Sequence, residues 1–372
     1  MSIFFFSVPQ SVGRTTDLSP LNRPETVLET QIEIVSTTEE ESVKTPKPTL
    51  KKSTFARIAL VTALAACTAA VPLGAASASQ EADSAGTIAA IKDANPGVIE
   101  RSALKSSRSI GSAIRGLYGA TSVDVPSDPV DGIDIGLAHG KNVNVGLPFA
   151  ASADDADQLA AGVVSYDNRN DSKTVPVVVD DGSVVIHTII DSSNAPTTYT
   201  YDFALEPGST FELHPSGDVV ALSAEGNFEF AIAAPWAKDA DGRPVPTHYE
   251  LTGNRLSQVV EHSESSAFPI VADPTIGGFY MDRYSWNAAG DRITIWPTFA
   301  GGTFNPGLVG TYGWIELIEK TPKANTASVN QQFVCHASGN AVLWAAGATW
   351  DLETYRGTVS NPVAMFGSLC NW

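Results

Sequence analysis

Between Thr174 and Pro274 the chain repeats one pattern, a short apolar or alternating run followed by a turn about every ten residues. "VPVVV" and "SVVIHTII" flank Asp180-Asp181-Gly182, a hairpin signal between two β-branched runs. "YTYDFAL" places Tyr199, Tyr201, Phe203 and Leu205 on one face of an extended strand. "EPGS", "PSGD", "EGN" and "DADG" then break the chain before any helix-length period can develop. Many short strands joined by tight turns bury their apolar faces in an antiparallel sandwich or barrel-like sheet. The expectation is an all-β, sandwich-like middle domain over residues 151–275.

The composition changes after Thr275. From Ser79 to Thr275, 11 Lys/Arg face 28 Asp/Glu, whereas from Ile276 to Trp372 the numbers are five and six. Six of the seven tryptophans also lie beyond Thr275. This shift predicts a second domain over 276–372. There "FYMDRYSW" and "RITIWPTF" flank the turn "NAAGD" as a hairpin, and "GLVGTYGWIELIEK" and "TASVNQQFVCHA" read as helices. Asn361 and Pro362 supply the chemistry of a further helix start. The class expected is a small α+β domain. Residues 79–150 read as a loosely packed lead-in, with Ile110, Ile114 and Leu117 at i, i+4 and i+7 on a short amphipathic helix.

The N-terminal third carries an address. Lys47, Lys51, Lys52 and Arg57 precede an apolar run from Ile58 to Leu73, and Ala76-Ser77-Ala78 follows. Basic, apolar and small residues in that order form a secretory signal over 47–78, with cleavage after Ala78. The run is short for a membrane span and is interrupted by Pro72 and Gly74, so no transmembrane span is expected in the mature chain; a retained membrane anchor is the alternative. Leu64-Ala65-Ala66-Cys67 also fits the site at which bacterial lipoproteins are acylated on cysteine, although apolar residues continue past Cys67. Residues 1–46 are polar and disorder-like near "TTEEESVKTPK", and translation from near Val43 is expected.

Net charge of −18 argues against a nucleic-acid partner, because phosphate tracking needs a basic face. After cleavage at Ala78 two cysteines remain, Cys335 and Cys370, and an exported chain pairs them. "QQFVCHASG" sets Cys335 beside His336, but neighbours on a helix point about 100° apart, so a thiol–imidazole pair is disfavoured. The ligands fall short of a zinc site. Asp239, Asp241 and Glu250 stand at calcium-loop positions, but Arg243 and Pro244 occupy the places of a ligand and the turn glycine. Neither a metal nor a cofactor is expected. The catalytic candidates are His336, Glu353 and Arg356, with Asp351 sharing a strand face with Glu353, and the competing reading is a salt-bridge network. Most tryptophans are expected in the core, with Trp372 the freest to stay exposed.

Trp286, Pro297-Thr298, Trp314, Gln332-Phe333-Val334-Cys335-His336, Trp350, Leu352-Glu353, Arg356 and Cys370-Asn371 carry a resemblance. The last hundred residues resemble the domain-of-unknown-function family numbered 2599, found in secreted proteins of Gram-positive bacteria. Asp351, where the family pattern has asparagine, and Gly357, where it has proline, depart from it. "APWAKDADGRPV" and "FPIVADP" resemble an exported module that precedes varied C-terminal domains, some of them toxin-like. Together these resemblances imply export and a modular layout but no reaction. The function expected is a secreted or cell-envelope protein that binds an envelope component or a partner protein without catalysis. The alternative is a secreted effector, a toxin or hydrolase, acting through its C-terminal domain.

Overall fold

The computed structural model describes residues 73–103, 107–137, 141–343 and 349–360, together with Ser368, Cys370 and Trp372. The basic stretch, Cys67, the expected start near Val43 and the helix start at Asn361-Pro362 lie outside the described residues. Residues 70–372 form one compact unit. Among the described residues no helix is long and apolar enough to cross a membrane.

Most of the described chain is antiparallel β. One sheet runs in the order β1 (Ser107–Ser109), β2 (Ser112–Tyr118), β3 (Thr121–Pro126), β4 (Ile133–Gly136), β5 (Asn142–Gly146), β10 (Thr198–Ala204), β16 (Arg255–Val260) and β15 (Thr247–Thr252). A second runs β11 (Thr210–Leu213), β12 (Val219–Leu222), β13 (Phe228–Ile232), β18 (Thr275–Gly277), β9 (Val184–Ile190), β8 (Ser172–Val178), β7 (Val163–Asp167) and β6 (Asp157–Ala160). In it β14 (Trp236–Lys238) pairs with β17 (Ile270–Asp273), which also pairs with β9. One buried cluster draws on both sheets, with Val123, Ile133, Tyr199 and Tyr201 from the first and Val184, Ile186, Phe230 and Ile232 from the second.

The strand sequences follow from which faces are covered. In β10 Tyr199, Tyr201 and Phe203 are buried and the residues between them are not, as the alternation predicts. All seven residues of β9 are buried. Val184, Ile186 and Ile190 face the shared core. Val185 and Ile189 join Val175, Val177 and the helix α1 (Leu73–Ala94) residues Ile91 and Ala94 in a separate cluster on the other face. A strand covered on both sides has no reason to alternate, which accounts for the unbroken run "VVIHTII".

Within the lead-in expected over 79–150, the stretch read as a short amphipathic helix belongs instead to the first sheet, which takes β1 to β5 from Ser107 to Gly146. Gly119, at φ +57°, and Ala120 make a two-residue turn that folds β2 onto β3, with Tyr118 opposite Thr121. On β2 Ile114 is buried and Leu117 exposed, and Ile110 lies exposed in the turn before it. The i, i+4, i+7 spacing is therefore incidental, and tertiary pairing overrides it.

The C-terminal segment follows its expected outline. β19 (Met281–Trp286) and β20 (Arg292–Pro297) form the hairpin, with β21 (Trp350–Glu353) beside β20. Short helix α2 (Phe299–Thr303) leads into α3 (Pro306–Leu308), a π turn (Val309–Gly313) and α4 (Trp314–Lys320). Helix α5 (Ala327–Leu343) covers "QQFVCHA". Its Phe333 packs on Trp350 and shares a buried cluster with Ile293, Ile295, Leu317 and Leu352, to which Ala231 on β13 and Ala233 just after it also belong. The buried Asp181 of the "DDG" hairpin accepts a hydrogen bond from the Phe299 amide at 2.6 Å, and Ser183 accepts one from Ala300 at 3.0 Å.

Candidate functional site

The "QQFVCH" run acts as a set of structural fasteners. Gln332 donates from Nε2 to the Glu353 carbonyl at 2.8 Å and accepts the Glu353 amide at Oε1 at 2.8 Å. Gln331 does the same for Val359, accepting its amide at 2.8 Å and donating to its carbonyl. Two consecutive glutamines thus hold the end of β21 at Glu353 and the segment after it at Val359. Cys335 is joined to Cys370 in a disulfide, with Cα atoms 5.6 Å apart. The sulfur is therefore bonded rather than available as a nucleophile. His336 is buried and stacks on Trp350, with centroids 5.7 Å apart and rings 12° from parallel.

Glu353 and Arg356 meet directly, Arg356 Nε donating to Glu353 Oε2 at 2.7 Å, with side chains 20% and 8% exposed. Another Arg356 nitrogen donates to the Trp372 carbonyl, and Trp372 Nε1 donates to the Gly357 carbonyl at 2.8 Å. Asp351 accepts the Thr294 hydroxyl across the β20–β21 pair. Burial lowers the pKa of His336, against the opposing influence of the Asp351 backbone and the Glu353 and Asp351 charges. The three catalytic candidates thus share one neighbourhood, in which Glu353 and Arg356 are committed to each other and to the chain terminus. Trp350 is core, Trp286 and Trp314 pack at its margin, and Trp372 is half-buried.

Sequence spacing does not reveal a second constellation. A cleft of about 440 Å³ opens between residues 96–101, the "DDG" hairpin and the start of the C-terminal segment. Arg101 donates to Asp180 at 2.9 Å and to Asp181 at 2.6 Å, and its guanidinium lies 5.7 Å from the Phe299 ring centre. Across the cleft Arg283 lies 4.8 Å over the half-buried Trp296 and pairs with Asp282 at 2.9 Å. Burial raises the Asp282 pKa, Arg283 opposes the shift, and the charges of Asp181 and Asp180 reinforce it. These groups come from three distant stretches, so no local motif joins them. The "DDG" turn and the tryptophan count are the only traces they leave in the sequence.

The segment with the disulfide, the glutamine clasps and the buried tryptophan has relatives. Residues 281–372 match the family model described as "Protein of unknown function (DUF2599)". Uncharacterized proteins of Mycobacterium bovis and Mycobacterium tuberculosis are 27% identical over 96 residues, covering 24% of this chain. The match spans 64% of the length of these relatives. The DUF2599-matching segment contributes Asp282, Arg283, Trp296 and Phe299 to the cleft, and Arg101, Asp180 and Asp181 come from ahead of it.

Proposed function

We propose that the chain is an exported, non-enzymatic module that binds a component of the cell envelope or a partner protein. One observation carries this reading: the two charged catalytic candidates, Glu353 and Arg356, are already paired with each other and His336 is buried against Trp350, whereas the Arg101–Trp296 cleft keeps charged and aromatic groups partly exposed. Export is supported by the basic, apolar and small-residue order ending at Ala78, and by a disulfide that persists in an oxidising compartment. A sandwich-like stacking of the two sheets is supported by their shared buried cluster, and a separate C-terminal domain by the distinct cluster around Phe333.

The test is co-sedimentation of the purified exported chain with isolated envelopes of its source bacterium. Saturable, salt-tolerant retention is expected. A chain that stays in the supernatant, with no surface protein captured by cross-linking, would count against the proposal.

A further inference from the structure

We propose that the cleft between Arg101 and Trp296 is a binding site for a neutral saccharide. This rests on the binding-module reading and names its ligand. A volume of about 440 Å³ lies within the usual span of small-ligand sites, about 300–1,000 Å³. Such sites combine an apolar platform with a few fixed polar groups, and the cleft has both. Trp296 is held on β20 and half-buried, which makes it a rigid, flat platform. Arg101 is locked between Asp180, Asp181 and the Phe299 ring, so its donors are fixed in place. Asp282 and Arg283 place an acceptor and donors side by side next to the platform. Alternating donors and acceptors suit vicinal hydroxyls, each of which both donates and accepts.

The charge pattern selects a neutral ligand. An anion entering the cleft finds both lining cations already paired, Arg101 with Asp180 and Asp181 and Arg283 with Asp282, so three carboxylates stand against two guanidiniums. A cation finds both ring faces taken, Arg283 over Trp296 and Arg101 over Phe299. Exchanging one cation for another on Trp296 gains nothing on the ring and leaves the ligand facing the released guanidinium. A sugar ring that replaces Arg283 keeps apolar contact with the indole, and the freed guanidinium, on a side chain 64% exposed, turns to its hydroxyls.

The experiment is a titration of the full exported chain, followed by tryptophan fluorescence and calorimetry. The probes are neutral tetrasaccharides of glucose, N-acetylglucosamine, galactose, mannose and arabinose, with inorganic phosphate and tetramethylammonium as charged comparators. Saturable binding of at least one saccharide is expected, weakened about tenfold or more by Trp296→Ala. Asp282→Asn, which removes a charge without removing volume, is expected to weaken it about fivefold with an unchanged melting curve. Binding unaffected by either variant, preference for a charged comparator, or no response to any saccharide overturns the assignment. A chain that sediments with envelopes yet ignores every saccharide leaves the binding-module reading standing and removes only the sugar.

Discussion

Gln332 closes both hydrogen bonds of the Glu353 peptide position, each at 2.8 Å, from a side chain with no exposure to solvent. Solvent does not reach the side chain that makes them. Gln332→Ala therefore leaves two buried backbone groups unpaired, at about 1–3 kcal/mol each. A total loss of about 2–5 kcal/mol is expected in urea unfolding. Gln332→Glu removes the donor and should destabilise comparably, whereas a side chain serving only as volume would tolerate it.

The disulfide closes a loop with a sequence separation of 35. Chain-entropy reasoning gives about 4 kcal/mol for a loop of this size. The double variant Cys335→Ala/Cys370→Ala, or reduction of the native chain, should lower the unfolding midpoint accordingly. An unchanged midpoint after verified reduction would contradict the fastening role.

Gly182 shows how tightly the "DDG" turn is built into its surroundings. It sits at φ +89°, and a Cβ there would lie 2.5 Å from Thr121 Cβ and 2.9 Å from the Tyr118 carbonyl oxygen. Gly253 has a comparable φ of +59° with open space around it. Gly253→Ala is expected to cost about 1 kcal/mol, the left-handed penalty alone. Gly182→Ala should cost about 2 kcal/mol or more, since the clash adds to that penalty. Equal losses would show that the turn adapts.

Two buried groups in the β region pull stability in opposite directions with pH. Burial raises the pKa of Asp273 to about 7, so the folded chain holds a proton that the unfolded chain releases near 3.8, and this contribution to stability falls as pH rises from about 4 to 7. Burial lowers the pKa of His187 to about 3, so the unfolded chain takes up a proton below 6.5 that the folded chain refuses, and this contribution is lost as pH falls from about 6.5 to 3. Between about pH 4 and 6.5 the two slopes offset each other. Asp273→Asn should expose the His187 slope, making the protein more stable with rising pH in that range, and His187→Gln should expose the reverse. Denaturant midpoints measured from pH 4 to 7.5 check both signs.

Much of the β architecture was legible because its signals are local. The "DDG" hairpin, the alternation of Tyr199, Tyr201 and Phe203, and the hairpin between Trp286 and Arg292 each depend on neighbouring residues alone. The strand Ser112–Tyr118 was not legible, because its state is set by pairing with β3 and by the left-handed Gly119 rather than by the spacing of Ile110, Ile114 and Leu117. The Cys335–Cys370 link followed from the count of cysteines beyond the expected cleavage site, whereas the glutamine clasps gave no sign, since their partners are backbone atoms some twenty to thirty residues away. The cleft was invisible for the same reason on a larger scale: Arg101 meets Asp181 across some eighty residues, and Trp296 joins them only through the packing of the C-terminal segment on the second sheet.

The most direct measurement is envelope co-sedimentation of four forms of the chain from Ser79 onward: unaltered, His336→Gln, Trp296→Ala and Asp282→Asn. Working through the cleft predicts that the His336 variant binds like the unaltered chain, while the Trp296 and Asp282 variants lose most of their retention. Release of the His336 variant, with both cleft variants still bound, would contradict it and move the working site to the helix that carries Cys335.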